Sequence, residues 1–431
     1  MTLARFPGLH ALWLTLLLTA PVAHAGLFTR CDDPDVTQAR VHVYILPARA
    51  ESRLTDNGAR LATIMQRHIL YAALKYESIA VAELSGNPED CSLGQLLARL
   101  RPRLRPEQSA VFVATALFEE DGAIYLQSDV LTWIAGDART TRWPLLRQAG
   151  TTIATQASLP AEALVFPARR IPLEFLDRLA DAQRSARRLR ERPAEDAPAQ
   201  DLPDDRDARY SFEVLEARPG WMRVRLTGGA ATGWLPVQAL ASADALKGEF
   251  PELHFVDGLI GYLQLVAPSP LNIALPASRV RLAETATRSF IRYREHTSDA
   301  TEAGARAEAR VLEGLLALRQ APAGWGLERL RAAQARFAEA RAQAPGSAVA
   351  QNHYLACSAA LCAAGACVVD AARLHTELLE AIAADPTNDE LLQNLDTLYT
   401  AAAAGRLQIG LARDRIGAQQ RVLEEARSAA R

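Results

Sequence analysis

The period of the apolar pattern changes once along this chain, and that change limits the fold more than any other feature. From Val41 to Leu240 the apolar runs are short and strand-like, interleaved with helical patterns. Beyond Ser242 the spacing is helical throughout. Residues 41–46 read as a buried strand and 78–83 as a second. Residues 54–76 form a helical pattern with Leu61, Ile64, Met65, Ile69 and Ala72 on one side, and 93–104 form another. Residues 110–118 and 123–131 flank Asp121-Gly122, a dipeptide suited to a two-residue hairpin. The order is β-α-β-α-β-β, and a strand near residues 140–145 is expected to complete a small mixed sheet with helices packed on it. A charged helix is expected from Pro172 to Leu189. At 431 residues, with 49% hydrophobic and 23% charged, the chain is too long for one ordinary core. It reads as multidomain α+β.

The first 25 residues carry an export pattern: Arg5, an apolar run over residues 12–18, and Ala23-His24-Ala25 as a small-residue cleavage site before Gly26. The run is too short to span a bilayer, and no later segment is long and apolar enough to do so. The mature protein is therefore expected to be periplasmic or secreted, where disulfides persist. All five cysteines lie beyond the leader. Cys31 precedes the first strand and Cys91 follows the second; pairing them closes a loop that stabilises by about 4 kcal/mol. Five steps along a continuous helix separate Cα atoms by about 8 Å, which disfavours Cys357 with Cys362. Cys362 with Cys367, across the Ala363-Ala364-Gly365 turn, is the expected bridge, leaving Cys357 as a small buried hydrophobe.

The signals for chemistry are sparse. The formal charge of -2 gives no basic field for nucleic acid. No paired metal-ligand spacing, H-E-x-x-H pair, Gly-x-Ser-x-Gly elbow or Walker loop occurs. Cys91 precedes a helix and so has the position of a thiol nucleophile, but the later histidines lie far off in the helical region and a disulfide is its expected fate. No catalytic residue, metal or cofactor is assigned, and the chain is expected not to be an enzyme.

Residues 187–207 carry Arg187, Arg188, Arg190 and Arg192, then Glu195, Asp196, Asp201, Asp204, Asp205 and Asp207, with prolines at 193, 198 and 203. By composition this is a solvated linker. The segment after it alternates as strands: Tyr210 to Leu215, then Gly220-Trp221-Met222-Arg223-Val224-Arg225-Leu226, a tip at Thr227 to Ala231, and Gly233-Trp234-Leu235. This cadence resembles a bacterial SH3-like domain over residues 187–241, with Gln200 and Asp201 standing where that family has apolar residues. The resemblance implies recognition of peptide or cell-wall material, with Trp221, Arg223, Arg225 and Trp234 as the candidate surface. In a small barrel a tryptophan also serves as core.

Farther on, Ala333, Phe337, Ala340 and Pro345, then Leu374, Leu378, Ala381 and Pro386, repeat one spacing. The two prolines lie 41 positions apart, against about 34 in the family whose second helix they resemble, the tetratricopeptide repeats. The surplus fits an enlarged turn around Cys362 to Cys367, and Leu392, Leu395 and Tyr399 fall at first-helix packing positions. The resemblance implies stacked helical hairpins with a concave face. Asn352, His353, Gln393 and Asn394 are its expected groove-facing residues, with residues 407–430 as a capping helix. The amino-terminal order, with Leu46-Pro47 closing the first strand and a strand-Asp-Gly-strand hairpin, resembles the amino-terminal domains of Tol-system translocation proteins and of some outer-membrane secretion lipoproteins.

The expected organisation is a signal peptide at 1–25, a mixed α/β domain at 26–165, a connecting helix at 166–186, an SH3-like barrel at 187–241 and a helical-repeat domain at 242–431. The function this implies is an exported envelope adaptor or scaffold that binds protein or peptide partners, cell-wall peptide among them. The alternative is a peptidoglycan-related hydrolase, or a regulator of one, with its site in the amino-terminal α/β domain.

Overall fold

The structure is a computed structural model that describes residues 31–429 except 32–33, 52–53, 55–56, 75, 87–90, 92, 135–139, 149–150, 160–162, 173–187, 203–209, 228–230, 237–249, 267–276, 298–301 and 320–326. The expected signal peptide and most of the expected connecting helix lie outside the described residues. The fold is α+β: a large sheet, a separate hairpin and a run of helices.

Strands β1 (Val41–Ile45), β3 (Ile79–Glu83) and β4 (Ser109–Glu120) run parallel in the order β3–β1–β4, and β2 (Arg49–Ala50) adds to β4. Parallel strands bury both faces, so consecutive apolar residues divide between two cores. Val41, Val43 and Ile45 pack with Met65 and Ile69 of helix α1 (Asn57–Ala73) on one face. Tyr44, Leu46 and Phe112 pack with Leu96 and Leu100 of α2 (Leu93–Leu100) on the other, beside the Cys31–Cys91 disulfide. Asp121 and Gly122, with φ of 51° and 72°, form the primed turn that joins β4 to β5 (Ala123–Ile134).

Beyond β5 the sheet departs from expectation. A strand does occupy the region near residue 140, β6 (Thr140–Gln148), but among the described residues it pairs with β7 (Thr151–Ser158) alone, in a two-stranded sheet of its own. The edge of the large sheet is taken instead by β8 (Ala163–Val165) and β9 (Arg169–Arg170), both antiparallel to β5.

The opposite edge is the larger surprise. Strands β10 (Arg188–Arg190), β11 (Ala199–Asp201), β12 (Ser211–Arg218), β13 (Trp221–Leu226) and β14 (Thr232–Pro236) pair in the order β11–β10–β14–β13–β12. The sheet does not stop there. Strand β12 pairs antiparallel with β3, matching Ser211, Phe212 and Glu213 to Ala82, Val81 and Ala80. The Ser78 N–H donates to the Val214 carbonyl at 3.1 Å and the Glu83 N–H to Tyr210 at 2.9 Å, extending the seam at both ends. The result is one 12-stranded sheet.

A buried ion pair fastens this seam. Arg67 on α1 meets Glu83 at 3.3 and 3.5 Å, and the Glu83 carboxylate also accepts the Tyr210 backbone N–H at 3.2 Å. The guanidinium sits 4.2 Å from the centre of the Tyr210 ring. One side chain thus reads both strands at once.

Helix α3 (Glu252–Val266) is buried along its described length, as a helix apolar on every side must be. Its ties to the sheet region include a Tyr76 hydroxyl donating to the Asp257 carbonyl at 3.2 Å and a Gln264 amide donating to the Glu77 carbonyl at 2.5 Å. Helices α4 (Ala277–Glu295), α5 (Ala303–Arg319), α6 (Leu327–Gln343) and α7 (Ala348–Ala363) each pack on the one before. Phe337 lies on the bare backbone of Gly314, where an added Cβ would stand 2.5 Å from the ring, so α5 and α6 approach closely. Helices α8 (Ala371–Ala384), α9 (Asp389–Ala403) and α10 (Arg413–Ala429) follow, with α7 beside α9 and α10 on α9.

Helix α7 ends in a Schellman motif. Gly365, at φ 72°, donates to the Cys362 carbonyl and Ala366 to that of Leu361, both at 2.9 Å. The Cys362–Cys367 bridge closes over this turn, with Cα atoms 4.0 Å apart, and Cys357 is free and buried.

Breaking one side of a buried ion pair costs about 3–5 kcal/mol, because the remaining charge has no partner. Arg67→Met should therefore destabilise the protein by that order in urea unfolding. The double variant Arg67→Met/Glu83→Leu should recover part of the loss; a double variant worse than the single would contradict this role for the pair.

Candidate binding surfaces

Alternation on β13 sorts the candidate strand residues. Met222 and Val224 point into the main core with Phe212, Val214 and Leu235, while Trp221, Arg223 and Arg225 share the other face. Cross-strand pairing adds to that face. Arg223 stands opposite Trp234 on β14 and Glu216 on β12; Trp234 stands opposite Arg190 on β10. The four expected residues therefore do share one side of the sheet.

Their exposure differs. Arg223 and Arg225 are exposed, Trp221 is half-buried, and Trp234 is only 6% exposed. The Arg218 guanidinium covers the Trp234 ring at 4.9 Å from its centre. Arg225 is ion-paired with Glu213, and Arg218 with Glu216 at 2.6 Å. Most of the charge on this face is thus matched within it, and Trp234 supports the surface from beneath.

The second candidate is the helical face. Helix α7 is buried without interruption from His353 through its end, and it contains no charged residue. It packs against α5, α6, α8, α9 and strand β7. Strand β7 lies against both α7 and α9, with the alternate residues Thr155 and Ala157 buried. The period-2 pattern of a strand here meets a helical surface rather than a second sheet.

Of the four expected groove residues, Asn352 and Gln393 are half-buried, whereas His353 and Asn394 are fully buried. His353 does not point into an open groove. Its Nδ1 donates to the Val349 carbonyl at 2.8 Å, its ring centre lies 5.6 Å from that of Phe337 on α6, and burial holds its pKa down at about 4. On a helix packed on several sides, adjacent positions such as 352 and 353 face different neighbours.

A third cluster left no recognisable pattern in the sequence. Glu252 opens α3 and Glu302 immediately precedes α5; both are buried, and Arg169 of β9 pairs with each, at 3.0 Å to Glu252. Phe166, Phe255 and Tyr293 enclose the cluster with ring centres 5.4 to 5.9 Å apart. Burial raises the Glu252 pKa to about 7; Arg169 opposes the rise and Glu302 adds to it. Two carboxylates face one guanidinium, and each sits where a helix N-terminus favours negative charge. The available sequence signal is Pro251-Glu252 opening an otherwise apolar helix. The cluster ties the β9 edge to the first helices of the helical region.

Cys91 is bonded to Cys31, so its sulfur presents no thiolate. His42 is buried on β1, accepts the Thr37 N–H at 3.1 Å and has its pKa held down at about 4 by burial. Among the described residues no group of three or more histidine, cysteine or acidic side chains is placed to hold a metal ion. Comparison with family models, with curated proteins and with solved structures finds no match.

Glu252 makes stability depend on pH in a definite direction. A carboxylate whose folded pKa is raised from 4.5 to about 7 keeps a proton in the native state that the unfolded chain releases, so its contribution to stability falls as pH rises through that window. Glu252→Gln removes the titration. The stability of the wild type relative to this variant should fall between pH 4.5 and about 7, with a slope approaching about 1.4 kcal/mol per pH unit. A difference that stays constant across this range in urea unfolding would contradict the cluster's electrostatics.

Proposed function

We propose that this chain is an exported cell-envelope adaptor that binds protein or peptide partners through its helical face and, secondarily, through the Arg223 side of the β10–β14 sheet. The observation that carries the reading is the seating of β7, an extended segment, across α7 and α9. A helical surface that accommodates a strand from its own chain has the shape and side-chain size to accommodate one from a partner. Two disulfides suit an oxidising compartment, and among the described residues no helix is long and apolar enough to cross a membrane. An envelope hydrolase using Cys91 as its nucleophile is less well supported, because that sulfur is already bonded.

The test is site-specific photocrosslinking in the envelope, with the crosslinker placed at Asn352, Gln393 or Arg223 in otherwise wild-type protein. Adducts with a defined partner from the two helical positions are expected. Trp234→Ala is unsuitable as a binding probe, since this residue is buried and its loss acts on folding. An absence of adducts from all three positions in folded, exported protein would sink the adaptor reading.

A further inference from the structure

We infer that the β6–β7 hairpin is an exchangeable occupant of the α7–α9 face, standing where an uncharged extended segment of a partner binds. The inference rests on the adaptor reading and specifies its ligand and its control.

The topology permits exchange. Strand β5 runs into the hairpin, and β8 runs out of it; these two strands are themselves paired, with Leu131 opposite Ala163. The hairpin is therefore an excursion between adjacent strands, and lifting it off breaks no pairing of the large sheet. A two-stranded hairpin is marginally stable alone, so what holds β6 and β7 in place is the helical surface beneath. Removal of that contact frees the hairpin without unravelling the sheet.

The chemistry of the contact defines the ligand. Strand β7 reads Thr-Thr-Ile-Ala-Thr-Gln-Ala-Ser, with no charge and no aromatic ring. The helix under it is also uncharged and rich in buried alanine: Ala350, Ala356, Ala359 and Ala360. Small side chains allow close approach of an extended backbone, and the lack of a basic clamp leaves an acidic peptide without a partner on α7. The fit of the resident strand is imperfect. The Thr155 hydroxyl is buried with no hydrogen-bond partner. A buried polar group left unpaired is costly, so a competing segment without such a group has an advantage to exploit. Until it arrives, the tethered hairpin weakens apparent affinity by occupying the face.

The probe is a fluorescent peptide with the chain's own β7 sequence 151–158, added to the full-length mature protein and followed by anisotropy. Two variants open the face: Ala157→Arg, which places a charge at a buried position, and a chain in which residues 140–158 are replaced by a short Gly-Ser turn. Both should bind the peptide at least about ten times more tightly than the wild type does. If Ala157→Arg does not fold, the replacement variant decides. A folded replacement variant that shows no gain overturns the inference. So does a replacement variant that cannot fold, because the hairpin is then a fixed part of the core. Either result can coexist with envelope crosslinks from Asn352 and Gln393, which would leave the adaptor reading standing without its internal occupant.

Discussion

The antiparallel pairing of β3 with β12 is the contact on which the rest of the structure depends. Short as it is, it joins segments far apart in the chain: Glu83 and Tyr210, which bond across it, are separated by 127 positions. Arg67, Glu83 and Tyr210 hold it through a buried ion pair, a backbone hydrogen bond and a ring contact. Because of it, Phe212, Val214 and Val224 share a core with Val41, Ile79 and Val81. That core continues through α3 to the last helix, ending at Leu423. Strands that could have closed on themselves instead extend the amino-terminal sheet.

Local features are legible in the sequence because local physics sets them. Asp121-Gly122 announces its turn because both positions need positive φ, which these residues tolerate. The two disulfides join the pairs expected from the sequence, Cys31 with Cys91 and Cys362 with Cys367, and the separation of about 8 Å across five helical residues disfavours Cys357 with Cys362. Phe337 follows from its spacing, although the partner that makes room for it, Gly314, does not. The strand near residue 140 is legible, but its pairing with β7 rather than with the large sheet is not: alternation fixes which residues share a face and says nothing about which edge they seek.

Most of the other unforeseen features are contacts between distant segments. Nothing in Ile79 to Glu83 names Ser211 to Glu213 as a neighbour. Arg169, Glu252 and Glu302 look like ordinary surface charges until the fold buries them together. His353 and Asn394, expected to face a partner, are instead fully buried, because the burial of a helix position depends on every segment that packs around it. That covering strand, β7, changes the functional picture most. The helical face is covered by a hairpin that, among the described residues, pairs with no strand of the large sheet.

The continuity of the sheet is tested most directly by native-state hydrogen exchange on the whole chain. If the β3–β12 seam binds the structure together, amides of β12 and β13 exchange with the same opening free energy as those of β1 and β3, and denaturant shifts them in parallel. Exchange of β12 through β14 at a distinctly lower free energy, with β3 still protected, would show that residues 187–241 open as a separate body and would contradict that dependence.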